Sequence, residues 1–187
     1  YNCYRIYIKE NNWNYIDKDN NLHPVDMSSF KIISYPNLNF DCIFNAIHGT
    51  PGEDGKMQKY FKDKNIPITG CNSDQSALTF DKIKCLDFLS SKGINVAPSV
   101  SLTKSAELNF YEIEERIGFP CFIKASNSGS SFGVYKVYNK DEMAKCLNLA
   151  FKVDNKVLIE SYIEGREFSI GVIKYDGNLK VLPITEI

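Results

Sequence analysis

Lys124 ends a short apolar run, Cys121-Phe122-Ile123, and opens a stretch of small residues, Ala125-Ser126-Asn127-Ser128-Gly129-Ser130-Ser131-Phe132-Gly133. These residue types suit polyphosphate. Backbone N–H groups of a Gly/Ser loop can wrap phosphate oxygens, and a lysine supplies a point charge. A Walker-type loop runs strand, loop, helix and carries its lysine at the loop's end. Here the lysine stands at the start. The segment behind the loop, Val134-Tyr135-Lys136-Val137-Tyr138, reads as a second strand because β-branched and aromatic residues dominate it. A plain hairpin turn is the competing reading, but such turns usually span about two to five residues. The length of 125–133, its Ser/Gly content and the lysine at the strand end favour anion binding.

Three further segments carry chemistry-bearing residues. His48-Gly49-Thr50-Pro51-Gly52-Glu53-Asp54-Gly55 follows an apolar run and precedes a helical pattern. Taken alone it reads as a β–α turn in which Gly and Pro supply backbone freedom and the carboxylates complement the helix dipole. Loops at strand C-termini are also where α/β proteins bind ligands. Lys82 follows Asp81 within a helical stretch and by itself reads as a solvated lysine. Val157 to Phe168 joins two strands through a short linker whose backbone C=O and N–H can meet a planar base. A carboxylate there, Glu167, can accept two ribose hydroxyls. An ordinary surface connection is the simpler reading of that segment alone.

The elements that must position these residues follow from periodicity. Tyr4 to Ile8 alternates as a strand, Asn11-Asn12 and Asp19-Asn20-Asn21 are turns, and Phe40 to Ile47 reads as a buried strand. A helix follows with Met57, Tyr60 and Phe61 on one face, and Ile66 to Gly70 is a short edge strand. This succession predicts a small parallel α/β layer. Asn72 or Ser73 caps a helix that continues through Asp81-Lys82 to Gly93. A boundary near residue 78 separates domains 1–78 and 79–187. The second half reads as helix Glu107–Ile117, strand Cys121–Lys124, the loop, strand Gly133–Tyr138, and a helix capped by Asp141 with Met143, Leu147, Ala150 and Phe151 on one face. Strands Lys156–Glu160 and Glu167–Lys174 follow. Asp176-Gly177 signals a hairpin, with Leu179 to Ile184 pairing back. The class is α/β followed by α+β, with an antiparallel sheet in the second half.

Composition narrows the function. The 187 residues are 43% hydrophobic, enough for a sizeable core. A formal net charge of −1 without a long basic run argues against a nucleic-acid partner. There is no apolar run of membrane-spanning length and no signal segment at the start, so no membrane partner is expected. The six cysteines, at positions 3, 42, 71, 85, 121 and 146, form no CxxC pair and read as reduced and mostly buried, as in a cytoplasmic protein. With His23 and His48 as the only histidines, a zinc site has little support. Tyr1 at the start, and Ile187 within the apolar run Val181 to Ile187, read as cut ends of a longer enzyme.

Together, in this order and spacing, the four segments resemble the ATP-grasp superfamily and, within it, the D-alanine–D-alanine ligases. HGTPGEDG is similar to the family's HG-x-x-GEDG, and Ser76-Ala77-Leu78-Thr79-Phe80-Asp81-Lys82 to its S-A-x-x-x-D-K helix. Phe122-Ile123-Lys124 with Gly129-Ser130-Ser131-Phe132-Gly133 resembles its strand and GSS-x-G loop. Leu158-Ile159-Glu160 through Gly165-Arg166-Glu167 resembles its hinge, and Leu182-Pro183-Ile184-Thr185-Glu186-Ile187 its LP-x-x-E-I strand. Ala125 departs from the proline that usually follows the lysine. Ser161-Tyr162 replaces the commoner acidic-aromatic hinge pair, without loss of function where hinge contacts are made by backbone.

The resemblance implies an N-terminal pre-ATP-grasp α/β domain, a nucleotide-binding domain and ATP-dependent joining of two D-alanines for peptidoglycan. Lys82 and Lys124 are expected on the ATP phosphates. Ser130 and Ser131 are expected above those phosphates, with Ser130 beside the reacting centre. Adenine is expected at Glu160, Ser161, Tyr162 and Ile163, with the Ser161 C=O and Ile163 N–H bracketing the base. Ribose is expected at Glu167, and D-alanine beside His48 and Glu53. ATP with Mg²⁺ or Mn²⁺ and a homodimer are implied as well. The family's first Gly-rich loop would precede Tyr1. Its covering loop, catalytic arginine and metal ligands would follow Ile187, so this chain alone is expected to be inactive. A D-alanine–D-lactate ligase, another ATP-grasp carboxylate–amine ligase and a non-catalytic nucleotide-binding module remain alternatives.

Overall fold

Short alternating segments at the start of the chain fold as an antiparallel meander: β1 (Arg5–Lys9), β2 (Asn12–Ile16), β3 (Leu22–Asp26) and β4 (Lys31–Ile32). The computed structural model describes residues 2–107 and 109–187, which form two units, one up to Asp81 and one from Lys82 onward. In the first unit the meander packs Trp13, Val25, Phe30 and Ile32 against Met57 and Phe61 of α1 (Lys56–Asp63). Phe30 and Phe61 meet edge to face with centroids 4.7 Å apart, a favourable arrangement for two ring quadrupoles.

The expected parallel layer is reduced to one bridge, Ile43↔Ile68. The run Phe40 to Ile47 is not a buried strand, and Phe44 is 82% exposed. Side chains capture the N–H groups that a strand would pair: Thr69 Oγ1 accepts from Asn45 N, and Asn45 Oδ1 accepts from Ile47 N.

The helical stretch expected from residue 72 to 93 is two helices, α2 (Ser73–Phe80) and α3 (Lys82–Ser91). Asn72 caps α2 by accepting from Gln75 N. Asp81 is extended (φ −82°, ψ 102°), and the Lys82 N–H donates to the Ser126 carbonyl at 3.1 Å. With that N–H given to a tertiary partner, α2 stops at Phe80 with Asp81 as its cap, and Lys82 opens α3 rather than continuing one long helix.

The second unit is built on β5 (Ser99–Thr103), β6 (Cys121–Ala125), β7 (Val134–Val137) and β8 (Lys156–Ser161), antiparallel throughout in the order β5-β8-β6-β7. Helices α4 (Phe110–Arg116) and α5 (Lys140–Ala150) cover one face. Ile113, Met143, Leu147 and Ala150 pack there on Cys121, Ile123, Val137, Val157 and Ile159. Of the expected helix Glu107–Ile117, Leu108 lies outside the described residues. The cap of α5 is Asn139, not Asp141: Asn139 Oδ1 accepts from the N–H groups of Asp141 and Glu142, leaving Asp141 in the first turn.

Beyond β8 the expected strand Glu167–Lys174 divides into β9 (Phe168–Ser169) and β10 (Val172–Tyr175). The chain changes partner between them. β10 pairs with β11 (Asn178–Val181) through the Asp176-Gly177 turn, and β9 pairs with β12 (Thr185–Glu186). The cysteines are all free, but Cys121 is the buried one; Cys3, Cys42 and Cys71 are exposed. Their segments are loops in the structure rather than core strands. Among the described residues no helix is long and apolar enough to cross a membrane.

Candidate functional site

Alternation along β6 turns Cys121, Ile123 and Ala125 to the helix-covered core and leaves Phe122 and Lys124 on the open face. Register adds Lys136 opposite Phe122 on one side, and Glu160 opposite Phe122 and Leu158 opposite Lys124 on the other. Lys124 Nζ forms an ion pair with Glu160 Oε2, with both side chains mostly sheltered. Lys124 Nζ also lies 5.3 Å from the centre of the Phe122 ring. Lys136 Nζ sits 3.7 Å above the Tyr162 ring. Two cations and one carboxylate thus converge beside the hinge at 161–167. Sequence reasoning did not single out Lys136, because its shared face with Lys124 depends on the β6–β7 register.

The hinge backbone is held from two sides. Ser161 N donates to Pro98 O and Tyr162 N to Pro120 O, while Ser161 Oγ donates to Ile117 O. Ile163 is 65% exposed. Among the described residues the Glu167 carboxylate has no hydrogen-bond or ionic partner, whereas its neighbour Arg166 forks onto Glu186 with two 2.7 Å hydrogen bonds. That pairing holds the Glu186 carboxyl below its usual range.

The loop after β6 is anchored at its base. Ser126 is fully buried. Asp154 Oδ2 accepts from both the backbone N–H and the side-chain amide of Asn127. Lys82 Nζ donates to Ser128 O at 2.7 Å and to Ser128 Oγ at 3.1 Å, so α3 delivers a cation directly onto the loop. Ser130 and Ser131 both adopt positive φ, 50° and 58°, a conformation that bulky residues avoid. Gly133 also has positive φ, and a Cβ there would lie 2.9 Å from Ala125 Cβ. The structure therefore brings Lys82 to the loop and Lys124 to Glu160 and the hinge. Asp154, which holds the base of the loop, carried no sequence signal beyond being polar.

In the first unit, the His48–Gly55 loop folds on itself. Glu53 Oε2 accepts from Gly49 N at 2.7 Å and lies 3.9 Å from His48 Nδ1. The Gly52 carbonyl accepts from Asn45 Nδ2 and from the buried Gln58 Nε2. A Cβ on Gly52 would meet the Ile47 carbonyl at 2.4 Å, which explains glycine there. Burial pushes the Asp54 carboxyl up, but hydrogen bonds from Lys56 and Thr50 outweigh it, and the net shift is downward.

An open depression of about 400 Å³ lined by Thr103, Lys104, Ser105, Asn155 and Lys156 lies at the far end of the β5–β8 pair from the hinge and is no part of this constellation. Among the described residues no group of three or more His, Cys, Asp or Glu is arranged to hold a metal ion.

The family model described as "D-ala D-ala ligase C-terminus" matches residues 88–187, which contain the sheet, the loop and the hinge. The chain belongs to the D-Ala-D-Ala ligase family. A D-alanine–D-alanine ligase of Flavobacterium johnsoniae is 46% identical over 188 residues, covering 100% of this chain and 58% of the relative. The crystal structure of a D-alanyl-alanine synthetase A from Vibrio cholerae superposes with a TM-score of 0.85 at 28% identity, over 98% of this chain and 56% of that one. A D-alanine–D-alanine ligase from Bacillus anthracis, solved in complex with ATP, is 37% identical with a TM-score of 0.69, over 79% of this chain and 47% of that one. The chain thus spans about half the length of these ligases and shares their ATP-grasp fold.

Proposed function

We propose that the protein binds ATP on the open face of the β5-β8-β6-β7 sheet and serves the ATP-dependent joining of two D-alanines. The observation that carries this reading is the convergence of Lys124, Glu160 and the 161–167 hinge on one sheet face of a D-Ala-D-Ala ligase family member. The ATP complex of the Bacillus anthracis relative supports it. The unit from Lys82 onward is the nucleotide-binding portion, and the unit up to Asp81 carries the amino-acid side.

In this reading the D-alanine carboxylate attacks the γ-phosphorus of ATP, giving an acyl phosphate and ADP. The amine of a second D-alanine then attacks the acyl carbon, and inorganic phosphate leaves. The first step gathers negative charge, so positioned cations contribute most. Lys124, fixed by Glu160, and Lys82, which also braces the loop through Ser128, neutralise phosphate oxygens. Ser130 and Ser131 lie over the phosphates as part of a lid that excludes water from the acyl phosphate. The Ser161 C=O and Ile163 N–H bracket adenine beside Glu160 and Tyr162, and Glu167 receives the ribose hydroxyls. His48 and Glu53 line the D-alanine side. Magnesium bound to ATP would neutralise phosphate charge. The described residues offer no ligand cluster for it, so none of these roles passes through the metal.

The test is calorimetric titration of ATP, followed by phosphate release with D-alanine, ATP and Mg²⁺. Saturable ATP binding is expected of this chain, and D-alanine-dependent phosphate release only of a form that carries the full length of the relatives. Absence of ATP binding overturns the reading.

A further inference from the structure

Among the described residues, the hinge contains a backbone acceptor that the sheet leaves without a donor. Hydrogen-bonded pairs in an antiparallel ladder exchange two bonds, each residue giving its N–H and receiving at its C=O. Along β8 the register alternates. Residues 156, 158, 160 and 162 exchange bonds toward β6, as Ser126 N→Lys156 O and Tyr162 N→Pro120 O show. The odd residues face β5, as Lys104 N→Asn155 O and Ser161 N→Pro98 O show. Ser161 and Pro98 therefore occupy a hydrogen-bonded position. One of its two bonds is present, Ser161 N→Pro98 O at 2.9 Å. The return bond would run from the N–H of residue 98 to the Ser161 carbonyl, and proline has no N–H.

Pro98 stands one residue before β5, an edge strand, at a strand start where proline is tolerated. Pro98 turns its nitrogen inward, toward β8. The missing bond falls at the last residue of β8, where the chain enters the hinge. Glu160 precedes that carbonyl and Tyr162, under the Lys136 ammonium, follows it.

We infer that Pro98 is a specificity-determining residue: by withholding an N–H from Ser161 it keeps that carbonyl as an acceptor for the exocyclic amine of a 6-aminopurine. The inference rests on the nucleotide reading above and goes beyond it by naming the residue that keeps the acceptor open. A base with a carbonyl at that position would set two acceptors against each other and leave both unpaired, which discriminates strongly.

The experiment compares three forms of the protein: wild type, Pro98→Ala, and a form with an ester at the same position. The ester form carries the α-hydroxy analogue of alanine at 98, so it has the same methyl group as Pro98→Ala but no N–H. For each, Kd is measured for ATP and for purine riboside triphosphate, which lacks the 6-amino group. Wild type is expected to prefer ATP. In Pro98→Ala the new N–H completes the ladder pair, and the preference should shrink roughly three- to ten-fold, the worth of one hydrogen bond. The ester form should keep the wild-type preference. Amide exchange offers a readout without nucleotide: the new amide of Pro98→Ala should be protected without ATP and lose protection when ATP is bound.

Undiminished preference in Pro98→Ala overturns the inference and leaves ATP binding intact. Equal loss in the alanine and ester forms also overturns it, because the N–H would then be irrelevant. If Pro98→Ala does not fold, the ester form decides: loss of its preference for ATP overturns the inference. A wild type that binds both nucleotides equally removes the inference alone. A wild type that binds neither removes the nucleotide reading with it.

Discussion

Lys124 and Glu160 pair diagonally across β6 and β8: Leu158 stands directly opposite Lys124, and Phe122 opposite Glu160. The diagonal carries the ammonium along the sheet toward the hinge. The pair fixes a long, flexible side chain before any nucleotide arrives, which lowers the ordering cost of binding. Lys124→Ala removes a charge-assisted contact worth about 1.5–3 kcal/mol, so ATP affinity should fall roughly 10- to 100-fold. Calorimetry checks this, and unchanged affinity removes Lys124 from the site.

Among the described residues, Glu167 differs from its neighbour Arg166 in having an uncommitted side chain. If that carboxylate receives ribose hydroxyls, Glu167→Gln weakens ATP moderately and narrows the preference for ATP over 2′,3′-dideoxy-ATP. A mutant that keeps the full wild-type ratio refutes the ribose role.

Gly133 closes the Ser/Gly loop at φ 73°, with Ala125 Cβ and Val153 Cγ2 at 2.9 and 3.1 Å from where a Cβ would stand. Gly133→Ala adds backbone strain and overpacking together, each of order 1–3 kcal/mol. The urea midpoint of the second unit should drop accordingly. A midpoint equal to wild type would mean that the loop base is not closed as described.

The second unit was more legible than the first, and the reason is physical. Strand β8 buries the apolar run Val157-Leu158-Ile159, and β6 alternates with Cys121, Ile123 and Ala125 turned to the helices, patterns that survive in the sequence. Phe40 to Ile47 is equally apolar, yet a strand also needs a neighbour, and Thr69 and Asn45 side chains satisfy its N–H groups instead. The helix break at Asp81 escaped because its cause is Ser126, a partner distant in sequence. Lys124, Lys82 and the loop were visible as types at a spacing. Lys136 and Pro98 were not, since their roles depend on which residue stands across the ladder.

The cysteines separate into reactive and inert groups. Cys3, Cys42 and Cys71 are exposed, whereas burial, with Cys146 nearby, pushes the Cys121 thiol up to about 11. The thiolate is the reactive form. Titration with a chromogenic disulfide at pH 8 should label Cys3, Cys42 and Cys71 ahead of Cys121, which should react only on denaturation. Peptide mapping of the modified protein assigns the sites. Early labelling of Cys121 would place β6 at the surface and contradict its packing under α4 and α5.

The Asp26 carboxylate closes the turn between β3 and β4, accepting from the N–H groups of Ser28 and Ser29 and from both hydroxyls. The Ser29 hydroxyl is the largest cause holding this carboxyl down at about 2, followed by the Ser28 backbone and side chain. In an unfolded chain an aspartate titrates near about 3.9. The folded value is the lower one, so the folded state favours the carboxylate. Its stabilisation is complete above the unfolded value and is lost as pH falls through the folded one. The window therefore runs from about pH 4 down to about pH 2. Asp26→Asn keeps the side chain's shape and removes the charge. The gap in urea midpoint between wild type and Asp26→Asn should be constant from pH 7 to about pH 5 and then close as the solution is acidified. Groups elsewhere titrate alike in both proteins and cancel in the difference. A gap that is independent of pH down to the lower end of this window would mean that the turn is held by shape alone and that the carboxylate's charge contributes nothing.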